Sequence, residues 1–232
     1  SVVIAAVIVK IVLVLLIWVR LGEPGFVNIV DDGTTYRQIA LNVLSGNGYS
    51  MVGDAPYIPD AIRVPAVPVL MALSLQVFDS LVPFVLLGVA LSVFQMLAIY
   101  HIGGVVGLSE RGSVWAVILF AFEPASLMLS VLAISEPLFV TLFLLAIYVT
   151  TRLAETMTLQ GAIAVGILWG ATTLTRPIGL YAAVIGLGWL VYRQARIRPS
   201  LHALIPFAVM AAIVTPWIFR NYETYGVASL SS

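Results

Sequence analysis

The 232-residue sequence has no cysteine, and its two histidines, His101 and His202, lie far apart. The first absence removes disulfides, thiolate nucleophiles and cysteine-ligated metals. The second argues against a histidine-rich metal site. Charge is also scarce. Only 9% of residues are charged and the formal net charge is zero, whereas soluble domains carry about 25% charged residues. No global field of either sign argues for nucleic acid. Hydrophobic residues make up 61% of the chain and mean hydropathy is +1.09. A soluble fold cannot hide that much apolar surface, so lipid is the expected solvent for most of the chain.

A helix crosses a bilayer with roughly 20 apolar residues. The pattern predicts seven spans: residues 2–20, 81–102, 113–132, a short 137–150, 159–174, 178–192 and 201–219. Residues 1–21 have no basic leader and no small-residue cleavage site, so they read as a retained first span. Lys10 interrupts it, with a stem able to snorkel or to face a protein interior. Residues 64–78 are apolar, but at about fifteen residues they suit an interfacial helix better than a span. Glu123, beside Pro124, falls inside the third span. A carboxylate there is either functional or a protonated group hydrogen-bonded to backbone near the proline break, and the second reading is preferred.

Orientation follows from the basic residues of short loops. Arg111, Arg152, Arg193, Arg196 and Arg198 share one side when residues 64–78 do not cross, and that side is the cytoplasm. The other side collects Asp31, Asp32, Asp54, Asp60, Arg63, Glu136, Arg176, Arg220 and Glu223. Arg176 and Arg220 run against the positive-inside tendency. Either an anionic partner such as a phosphate holds them there, or a salt bridge to Glu136 or Asp32 does.

The most polar stretch is "DDGTTYRQIALNVLSGNGYS", residues 31–50. Tyr36, Ile39, Ala40, Val43 and Leu44 recur at helical spacing, with Arg37, Gln38, Asn42 and Ser45 opposite, and Gly46 and Gly48 end the run. This predicts a short amphipathic helix at the membrane surface, with Asp32 as its N-cap and Asp31 just outside. Were the helix to start early, Asp32 and Tyr36 would share a face. The helix dipole favours an anion at that end, which suits a base or an electrostatic stabiliser.

The same stretch resembles the first outer loop of membrane glycosyltransferases of the GT-C class, in the polyprenyl-phosphate-sugar branch of protein O-mannosyltransferases and the lipid A aminoarabinose transferase. Asp32, Tyr36, Ala40 and "SGNGYS" carry the likeness. "IRVPAVPVLMAL" (62–73), "ISEPLF" (134–139), "LTRPIGL" (174–180) and "TPWIFRNYETYG" (215–226) resemble further signatures in the same order. Relatives often have Glu after the leading Asp; here Gly33 follows Asp32 and Asp31 precedes it, so either aspartate is a candidate.

The resemblance implies an all-α polytopic fold: one module over residues 1–232, of about seven transmembrane helices with two interfacial helices in the first outer loop. The first span would be 1–21, the outer loop 22–80, spans two to seven 81–219, and 220–232 an outer tail continuing in a longer protein. It implies a sugar donor on a polyprenyl phosphate, used at the extracytoplasmic face of the bilayer, and an acceptor that the sequence leaves open among protein, lipid and glycan. Asp32 matches the base, with Asp31 as the alternative. Tyr36, Arg63, Glu136, Arg176 and Arg220 are the substrate-side candidates: the arginines for the lipid phosphate, Glu136 to orient an arginine or to help bind acceptor or metal. A divalent metal is left open. Trp217 and Asn221 read as anchors of the last span, and Trp18, Trp169 and Tyr192 as interfacial aromatics. Two other classes stand beside the enzyme: a non-catalytic GT-C-like membrane subunit, and a transporter, for which no inverted repeat is visible.

Overall fold

The structure, a computed structural model, describes residues 2–197 and 201–231. Arg198, one of the residues used for orientation, lies outside them. The described chain is helical, with one isolated bridge between Ser50 and Pro59 and no strand among the described residues. It comprises α1 (Val2–Leu21), α2 (Gly25–Asn28), α3 (Asp31–Leu44), α4 (Ala66–Phe78), α5 (Val82–Val105), α6 (Glu110–Phe122), α7 (Pro124–Leu129), α8 (Glu136–Glu155), α9 (Leu159–Thr175), α10 (Ile178–Ile197), a 3-10 turn at Leu201–Leu204, and α11 (Ile205–Tyr225).

Among the described residues, four helices are long and apolar enough to cross a membrane: Val2–Leu21, Val82–Val105, Glu136–Glu155 and the run Leu201–Tyr225. Two further helices, Ala66–Phe78 and Leu159–Thr175, are apolar but shorter. The expected third span is instead broken. Pro124 lacks an N–H and fixes its own φ, so it opens a new helix rather than continuing the old one. Glu123 becomes its N-cap, with φ −64° and ψ 128°. The expected short fourth span is a helix of 20 residues.

The chain divides into two compact units. The first holds Ser1–Asp60 and Val67–Thr141. Its core joins Val14 and Ile17 of α1, Phe26 and Val27 of α2, Tyr36 and Ala40 of α3, Met71 of α4, Val85 of α5 and the buried segment 131–134. Lys10 faces protein rather than snorkelling: it is 1% exposed and donates to the Ser130 hydroxyl at 2.7 Å and the Ser126 carbonyl at 3.2 Å. The first helix is thereby fastened to the residues around the α7 break by two hydrogen bonds from the amine.

The second unit holds Ala61–Ala66 and Leu142–Ser232. Trp169 of α9 lies in its core at 1% exposure, where an interfacial position was expected. Its indole Nε1 donates to Thr150 Oγ1 of α8 at 3.1 Å, and its ring meets Phe143 edge-on at 6.0 Å. The Arg176-Pro177 turn sends α10 back along α9, so that a Cβ on Gly186 would touch the Trp169 ring.

Candidate active site

The acidic stretch begins a helix earlier than its apolar periodicity suggests. α3 starts at Asp31, with Val30 as the extended residue before it (φ −133°, ψ 132°). Asp32 is therefore not the N-cap; both aspartates lie in the first turn, where the helix dipole favours anions. The early start sets Asp32, Tyr36 and Ala40 on one face. That face is buried at Tyr36 (7% exposed) and Ala40 (0%), and Asp32 at its head is half-buried. Asp31 is exposed, and its carbonyl accepts from the Thr34 hydroxyl at 2.7 Å. Tyr36 is the least accessible of the seven candidates.

Gly33 explains how the first turn is seated. A Cβ there would come within 2.5 Å of the Val27 carbonyl oxygen and 3.2 Å of the Ala133 carbonyl oxygen. Ala133 is itself held by its N–H, which donates to the Phe26 carbonyl at 2.9 Å. The start of α3 thus rests on the buried segment that leads into Glu136, the first residue of α8. Glu136 accepts from the Ser135 hydroxyl at 3.3 Å and lines a cavity of about 180 Å³ with Gln95, Glu123, Ser126 and Ser130. Both oxygens of Glu123 accept backbone hydrogen bonds, from Ala125 N at 3.0 Å and Ser126 N at 2.6 Å. The expected bonding to backbone at the proline break is present, but the carboxylate acts as an acceptor cap and needs no proton to do so.

Asn42 departs from its expected place on the polar face. It is 3% exposed and donates to the Ser50 and Val52 carbonyls at 2.7 and 2.8 Å, pinning the glycine-rich exit of α3. Gly46 (φ 75°) and Gly48 (φ 81°) supply its left-handed turns.

The three arginines belong to the second unit. A Cβ on Gly166 would meet Val209, and one on Gly170 would meet Ile213. An advance of four residues on α9 matches four on α11, so the two helices run parallel. Extending that register brings the end of α9 level with residues 217–220 of α11. Arg176, the extended residue that closes α9 before Pro177 (φ −150°, ψ 134°), and Arg220 therefore share one end of this unit. Arg63 is drawn to the same end through the residues that follow α11. The Ser231 hydroxyl donates to the Ile62 carbonyl at 2.9 Å, while the Leu230 carbonyl accepts from Trp217 Nε1 at 3.1 Å. All three arginines are half-buried. Trp217 and Asn221 serve this arrangement rather than acting only as interface anchors. No group of three or more His, Asp or Glu among the described residues is arranged to hold a metal ion.

A family model described as dolichyl-phosphate-mannose-protein mannosyltransferase matches residues 59–219. The chain belongs to this family. It stands with the membrane glycosyltransferases of the GT-C type, and its long apolar helices make it an integral membrane protein. No curated protein and no solved structure matches it. The mannosyltransferase match takes in Arg63, Glu136 and Arg176, and it ends one residue short of Arg220. Asp31, Asp32 and Tyr36 precede it.

Proposed function

We propose that this protein transfers a sugar from a polyprenyl-phosphate donor to a hydroxyl acceptor at the extracytoplasmic face of the membrane. The acceptor oxygen attacks the anomeric carbon while Asp32 takes its proton. The bond from that carbon to the phosphate oxygen breaks, and the lipid phosphate leaves with the electron pair. Attack opposite the leaving group inverts the anomeric centre. Arg176, Arg220 and Arg63 hold the departing phosphate, since a planar guanidinium binds phosphate through two parallel hydrogen bonds. Charge held ready where the leaving group develops its own charge lowers the barrier most effectively. Tyr36 and Glu136 stand on the substrate side. Glu136 serves the acceptor or orients an arginine.

The observation that carries this reading is the gathering of three arginines at one end of the second unit in a member of this family. Asp32 is preferred to Asp31 because it heads the packed face of α3. The topology from basic loops supports the extracytoplasmic side, and seven spans with two interfacial helices remain the proposed membrane arrangement. The purified protein, reconstituted in vesicles with a radiolabelled polyprenyl-phosphate mannose, is expected to release the label to an acceptor or to water. No release with any sugar on such a donor would favour a non-catalytic subunit.

A further inference from the structure

α11 ends in an arrangement in which two side chains each serve two purposes. Arg220 lies over the Trp217 ring, 4.9 Å from its centroid, as residues three apart on a helix can. Its Nη1 also donates to Asn221 Oδ1 at 2.8 Å. Trp217 and Asn221 are four residues apart and share a face, so the guanidinium reaches sideways onto that face to meet both. Asn221 is fully buried. Its Nδ2 donates to the Ser229 carbonyl at 2.9 Å and reaches the Leu230 carbonyl at 3.4 Å. The Trp217 indole N–H takes the same Leu230 carbonyl. Gly226 (φ 72°) turns the chain back, and Leu230 enters the core of the unit.

We propose that Asn221 is the positioning residue of the Arg220 guanidinium, and that its Oδ1 and the Trp217 ring hold that group oriented for a phosphate. The inference rests on the phosphate role given to Arg220 above. A guanidinium already stacked and hydrogen-bonded has less side-chain freedom left to lose, so binding becomes tighter without any new contact to the ligand. The two polar ends of Asn221 divide the work. Oδ1 orients Arg220, while Nδ2 fastens the returning tail, whose Ser231 hydroxyl is bonded to the carbonyl beside Arg63.

That division allows a direct test on the full chain in detergent, reading both thermal stability and the Kd for farnesyl phosphate, with farnesol as the phosphate-free control. Leu230→Ala removes the side chain that the tail sets into the core and leaves Asn221 Oδ1 on Arg220; Asn221→Leu loses both Oδ1 and Nδ2. A purely structural role makes affinity follow stability, so both variants would bind worse. A positioning role separates the two readouts. Leu230→Ala melts lower than wild type yet binds farnesyl phosphate within about twofold, whereas Asn221→Leu binds it about tenfold more weakly. Farnesol binding is unchanged in both. If Asn221→Leu does not fold, Trp217→Phe against Trp217→Leu decides in the same way. Only the phenylalanine keeps a ring under Arg220, both lose the bond to Leu230, and phosphate affinity is expected to survive in the phenylalanine variant alone. Equal phosphate affinity within the deciding pair overturns the inference. Arg220→Leu separates this failure from failure of the function itself. If it weakens farnesyl phosphate binding while Asn221→Leu does not, only the positioning role is wrong. If it changes nothing, the phosphate role of Arg220 is wrong.

Discussion

Gly33 shows how one small residue shapes this site. The start of α3 can lie against Val27 and Ala133 only because position 33 has no side chain. Gly33→Ala is expected to cost about 1–3 kcal/mol through overpacking against backbone that cannot yield, seen as a lowered melting temperature. Asp32 was legible as a candidate because a polar, acidic stretch stands out in an apolar chain. Its position inside the helix was not, since periodicity begins only with the first apolar residue, Tyr36, and says nothing of the turn before it. Asn42 was misread for a related reason. Its amide is buried by hydrogen bonds to Ser50 and Val52, partners in a loop that follows the helix. For Glu123 the backbone bonding was legible from Pro124 beside it, but the cap was not: the preferred reading was a protonated carboxyl, and the side chain accepts from Ala125 N and Ser126 N instead.

Among the elements, the parallel pairing of α9 and α11 matters most. Gly166 and Gly170 let the two helices approach so closely that a Cβ on either would meet Val209 or Ile213 within 3.0 Å. Gly170→Val is expected to push them apart, costing about 1–3 kcal/mol in stability and raising KM for the lipid-phosphate donor more than it lowers kcat. An unchanged KM would mean that the register of α9 on α11 does not set the arginines. The sequence set Arg176 and Arg220 on one side of the membrane by alternating the spans, against their own charge tendency; helix pairing gives them one end of the second unit. It did not disclose the returning tail, because hydrogen bonds from Trp217 and Asn221 to backbone carbonyls leave no trace in composition or spacing. Nor did apolar length reveal that α6 stops at Phe122, although Pro124 was the available signal.

For the whole molecule, the apolar composition led correctly to an integral membrane protein. The number of spans does not follow from composition, because a run such as 113–132 counts as one segment by hydropathy and as two helices by backbone chemistry. Topology is open to a clean test, since the chain contains no cysteine. In sealed, right-side-out vesicles, Asp54→Cys is expected to react with a membrane-impermeant maleimide, and Thr156→Cys only after permeabilisation. The reverse pattern would invert the protein and move the acidic stretch to the cytoplasm. The proposed chemistry rests on one carboxylate more than on any other group. The measurement is sugar transfer from a labelled polyprenyl-phosphate donor, with Asp32→Asn and Asp31→Asn assayed separately against wild type in the same vesicles. Loss of a general base predicts a kcat lowered about 10²-fold or more in Asp32→Asn, with donor binding retained and Asp31→Asn close to wild type. Undiminished transfer by Asp32→Asn would contradict the assignment, and its loss in Asp31→Asn instead would move the base to Asp31.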